Sequence, residues 1–139
     1  MATPQTELSR ADKWFCDALT VPGVVALVGD RIYRAKAPRD AASPVLIVAY
    51  QGGVDRNVVG GQRLVSMCRY AVRAVVWQPT VDDLADQVAA AADVALLAAS
   101  ADSHTLCVER MEPLNRSYTL DGIEYEERGG LYRVYVKGD

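Results

Sequence analysis

A chain of 139 residues has the length of one domain around a single core. Hydrophobic residues make up 50% and charged residues 24%, a globular balance, and the net charge of −3 argues against a nucleic-acid or membrane-surface protein. Three widely spaced cysteines, Cys16, Cys68 and Cys107, form no C-x-x-C pair, and His104 is the only histidine, so neither a disulfide framework nor a zinc site is expected. The cysteines read as small apolar residues of a reducing compartment.

The opening segment "MATPQTELSRADKWF" lacks an apolar run and reads as no signal peptide. Thr6–Leu19 has helical periodicity: Leu8, Ala11, Phe15, Ala18 and Leu19 share a stripe bordered by Trp14. A short second helix is expected over Pro22–Val28. Proline suits its first turn, and Gly29 suits the position just past its end. "RAKAPRDAASP" reads as a polar loop closed by Pro44, and "VLIVAY" (Val45–Tyr50) as a short buried strand.

The segment "QGGVDRNVVGGQ" follows that strand. A phosphate-binding loop would need G-x-x-x-x-G-K-[ST], and a dinucleotide loop would need G-x-G-x-x-G opening a helix. Gly52–Gly61 fits neither spacing, and a strand follows it, so Gln51–Val65 is expected to be a mobile connection between two strands.

Ser66–Trp77 alternates strongly. Tyr70, Val72, Ala74 and Val76 share one face; Arg69, Ala71, Arg73, Val75 and Trp77 share the other. "QPTVDDLADQVAAAADVALLAAS" reads as the strongest helix, with Thr80 as its cap and Asp83 three residues on. Its stripe is Val81, Leu84, Val88, Ala92, Ala95 and Leu96, extended by Ala85 and Ala99. The apolar run Val88–Ala99 is broken by Asp93 and is too short to span a bilayer. His104–Met111 and Gly129–Lys137 read as strands, and "LDGIEYEERGG" as a loop or small hairpin between them. The order is helix, short helix, strand, loop, strand, helix, strand, strand. It predicts an α+β domain with helices on a mostly antiparallel sheet.

No catalytic constellation emerges. Asp82, Asp83 and Asp86 suit a helix N-terminus, and Glu124, Glu126 and Glu127 read as solvated. His104 stands beside Asp102 and Ser103 in sequence only, and Ser66, Ser100, Ser103 and Ser117 occupy no nucleophile elbow. Arg69 and Arg73 read as exposed strand arginines or as a subunit contact. Such a domain works by its surfaces.

Three stretches then carry a resemblance: "GDRIYRAKAPRDAASPVLIVAY", "YAVRAVVWQPTVDDLADQVAAAADVALL" and "DGIEYEERGGLYRVYVKG". Their order and spacing resemble the tail terminator, or tail completion, proteins of long-tailed bacteriophages. The resemblance runs over roughly residues 7–137. It implies a non-enzymatic virion protein without cofactor or metal, assembled in the host cytoplasm. It also implies a hexameric ring that caps the tail tube and meets a head-side connector or stopper protein. Genome DNA passes through such a ring without sequence recognition, and no membrane is involved. The glycine-rich connection is left unassigned by the resemblance. It suits either a segment that orders on contact or a plain hairpin connection. Gly52, Gly53, Arg56, Gly60, Gly61, Arg69 and Arg73 are the candidate subunit or tube contacts. Another neck protein and a small-molecule-binding regulatory domain are the alternatives.

Overall fold

The computed structural model describes residues 4–57, 63–78, 83–99 and 105–137. In chain order the elements are α1 (Pro4–Leu19), α2 (Pro22–Val28), β1 (Ile32–Arg34), β2 (Val45–Asn57), β3 (Arg63–Trp77), α3 (Leu84–Ala98), β4 (Thr105–Leu120) and β5 (Ile123–Lys137). The strands form one sheet in the order β1-β2-β3-β5-β4, antiparallel except for the β1–β2 pair. This is the expected α+β architecture.

The alternation of β3 places the core. Tyr70, Val72, Ala74 and Val76 are all buried, and all but Val76 join Leu46, Val48, Tyr132, Val134 and Val136 in the main core cluster. Onto that face the helices lay their apolar stripes: Ala11, Trp14, Phe15 and Leu19 from α1, Val24 and Val28 from α2, and Val88, Ala92 and Leu96 from α3. Each large side chain buried here contributes roughly 1.5–3 kcal/mol. Rings interlock at the centre, with the centroid of Phe15 4.5 Å from that of Tyr70.

Connectivity follows from strand direction. β3 and β4 run the same way with β5 between them, so the chain must cross the sheet to join them, and α3 makes that crossing. α2 ends as expected: Gly29 takes φ +62, and its N–H bonds to the carbonyl of Val25.

Several expectations are corrected. The connection Gln51–Val65 is strand over Gln51–Asn57 and Arg63–Val65, which form one long hairpin with a bulge at Gln51. Gly60 and Gly61 lie outside the described residues. β1 was not expected between the second helix and the polar loop, because three residues show no period; its parallel pairing to β2 defines it. The long helix begins at Leu84, and Asp83 is its cap residue in a left-handed conformation (φ +66) with no side-chain cap bond. Thr80, Val81 and Asp82 lie outside the described residues, as does His104.

The largest correction concerns the end of the chain. β4 and β5 are 16 and 15 residues long, joined by Asp121-Gly122. Both turn residues have positive φ, +52 and +77, as the tightest hairpin turns require. Pro113 is tolerated within β4 because β4 is an edge strand.

Candidate interaction surfaces

The packing leaves two unlike surfaces. One is the face of the sheet turned away from the helices. At one end it is closed by Val45, Ile47 and Val75, on which Ala37 and Ala41 of the connection 35–44 pack. Beyond that cover, β2, β3, β5 and β4 shape a groove of about 430 Å³, lined by Gln51, Ala71, Arg73, Leu114, Arg116, Glu127 and Leu131, among others.

Charge organises this groove. Glu127 is only 7% exposed, which corrects its reading as a solvated residue. Arg73 Nη1 lies 3.5 Å from its Oε1, and Arg116 Nη1 lies 3.7 Å from its Oε2. A carboxylate withdrawn from water needs such partners. Two guanidinium groups share one carboxylate here, so the cluster keeps a net positive charge. The Nε of Arg73 is buried and has no hydrogen-bond partner among the described residues. Arg116 also stacks over Tyr118, 4.7 Å from its ring centroid, and Tyr118 stacks on Tyr125.

Arg69 stands exposed on the same face, one strand repeat from Ala71 and two from Arg73. Its register partner is Gly52, at φ +123; a Cβ there would lie 3.2 Å from Arg69 Nη2. Glycine therefore serves both the backbone angle and the guanidinium above it. Gly53 is a close-approach glycine, since a Cβ would sit 2.5 Å from the carbonyl oxygen of Met67. Arg56 falls in β2 opposite Val65. Sequence reasoning thus named Gly52, Arg69 and Arg73 of this face but missed Glu127, Arg116 and Gln51. The odd-numbered alternation of β5 was the available signal for Glu127.

The second surface is helical. Between α2 and α3 runs an apolar groove of about 650 Å³, lined by Ala18, Val21, Gly23 and the α3 residues Ala90, Ala91, Val94, Ala95 and Ala98. Val94 of this lining is 69% exposed, and Leu97, also on α3, is 54% exposed. Toward the sheet, α3 is held by ion pairs from Asp86 to Arg128 at 3.3 Å and from Asp93 to Arg110 at 4.0 Å. No group of residues with metal-ligand chemistry is found among the described residues. No helix there is long and apolar enough to cross a membrane.

The family described as tail completion protein gp17 matches residues 17–137, the greater part of the chain and all five strands. The chain belongs to this family. Membership makes it a structural component of the phage tail and so of the virion. No curated protein matches it. Among solved structures it is similar to a chain of the virion of a native gene transfer agent particle, with a TM-score of 0.70 at 16% identity, over 89% of this chain and 92% of that one. At that identity the likeness is one of fold.

Proposed function

We propose that this tail completion protein forms a ring, most simply a hexamer, on the last ring of the tail tube. There it ends tube polymerisation and offers its other side to a head-side connector or stopper protein. The observation that carries the reading is the family match across residues 17–137. The two unlike surfaces support it, because a closed ring is built from heterologous contacts and needs two different faces on each subunit. The reading assigns the chain no catalysis and no cofactor. Genome DNA passes the ring without sequence-specific contact, in keeping with a net charge of −3. The 139 residues act as one domain.

Imaging particles made without the gene tests the whole reading. Filled heads without joined tails, together with tubes of irregular length, are the expected result. Tubes of normal length that merely fail to join heads would assign the protein to the connector or stopper instead.

A further inference from the structure

The two surfaces differ in charge as well as in shape. β3, the central strand, carries Arg63, Arg69 and Arg73 and no acid. α3 carries Asp86 and Asp93 and no base. Asp86, Ala90, Val94 and Leu97 follow helical spacing along one line of α3, and all four are exposed. A solvent-facing helix line normally carries polar groups throughout. This one is acidic at its N-terminal end and apolar beyond. The sheet groove mirrors it, with guanidinium groups at Arg73 and Arg116 beside the apolar side chains of Leu114 and Leu131, and Arg69 stands exposed farther along the same face.

Resting on the ring reading, we infer that the arginine groove of one copy receives the outer line of α3 of the next copy. Asp86, whose carboxylate lies 3.3 Å from Arg128 Nε of its own chain yet stays 62% exposed, then meets the neighbour's guanidinium cluster as well, and Val94 and Leu97 are covered by the neighbour. The occupant is a second copy because this chain itself supplies the complement in both charge and polarity. The two faces also lie on opposite sides of the sheet, which lets one contact repeat around a ring. A DNA phosphate is a poorer occupant. Glu127 lies inside the groove, and the cationic excess is confined to a few side chains rather than spread along a strip.

The test uses assembled particles carrying Gln51→Cys with Leu97→Cys, treated with a short bis-maleimide. A ladder of covalent oligomers is expected from the double variant and from neither single variant, which also controls for the native cysteines. Where that pair halts assembly, Gln51→Cys with Ala98→Cys replaces it. Separately, Arg69→Glu, at an exposed position outside the Glu127 ion pairs, should lower the yield of joined particles at least about tenfold while leaving the melting of the free chain unchanged. Complete particles that give no ladder, or a reversal that leaves the yield unchanged, overturn the inference and leave the ring reading standing. Joined, correctly terminated particles made without the gene overturn both.

Discussion

Tyr70 and Tyr132 face each other across β3 and β5, and each donates its hydroxyl hydrogen bond to an aspartate on a different helix. Tyr70 reaches Asp12 of α1 at 2.7 Å, and Tyr132 reaches Asp93 of α3 at 2.6 Å. Both rings are buried, so one pair of neighbouring strand residues fixes two helices to the sheet. Removal of either hydroxyl leaves the ring packing in place and breaks one charge-assisted bond. Tyr70→Phe and Tyr132→Phe should each destabilise the fold by about 1–3 kcal/mol. Chemical denaturation of each variant and of the pair measures this. Variants as stable as the parent would show that the two bonds contribute nothing net.

The same two hydroxyls set a pH dependence. Burial first, and the aspartate bond second, hold each above the ordinary tyrosine range. In the unfolded chain both titrate near about pH 10. Their stabilising contribution is therefore complete below that value and is lost as pH rises through the higher folded values. The fall in denaturation midpoint that these groups cause should begin at about pH 10 and continue above it, and should be less steep in the double Phe variant. Equal slopes would assign the loss to other groups.

Two glycines should respond with opposite sign. A Cβ at Gly129 would lie 1.9 Å from the carbonyl oxygen of Val72, on the strand that β5 pairs with. Backbone cannot yield as a flexible side chain does, and Gly129→Ala should cost roughly 3 kcal/mol. At Gly23, inside α2, nothing lies within 4 Å of the added methyl group. Gly23→Ala should raise stability by about 0.5–1 kcal/mol, because the unfolded chain loses freedom. Thermal melting of the two variants decides both signs.

The link from core to particle can be tested on α3. Val88 is fully buried, whereas Leu84 is only partly so, which makes Val88 the sharper target. Val88→Asp places an unpaired carboxylate against the sheet, at a cost of about 3–5 kcal/mol. Neighbouring Gln87 is exposed, and Gln87→Glu should stay within about 0.5 kcal/mol. Electron micrographs of particles made with each variant should show unjoined heads and irregular tubes for the first and complete particles for the second. Complete particles with an unfolded Val88→Asp protein would show that the tail does not depend on this chain.

Local pattern determined much of this protein. The stripe of α1, the alternation of β3 and the apolar face of α3 were each legible, because a buried face imposes a period of 3.6 or 2 on the residues that form it. The proline and glycine that bound α2 were legible for backbone reasons. Function was legible only as a resemblance, since no residue chemistry announces a tail protein.

Other features were decided by tertiary contact alone. β1 is three residues long and exists through its pairing with β2. β4 runs through Pro113 and a row of polar residues that carry no strand signal of their own; β5 takes up its backbone on one side and leaves the other as an edge. The burial of Glu127 is the sharpest case. Nothing adjacent in sequence distinguishes it from Glu126, but the sheet brings Arg73 from 54 residues away to one of its oxygens and Arg116 to the other. A carboxylate leaves water only where charges assembled from distant parts of the chain replace its solvation, and only the closed sheet performs that assembly.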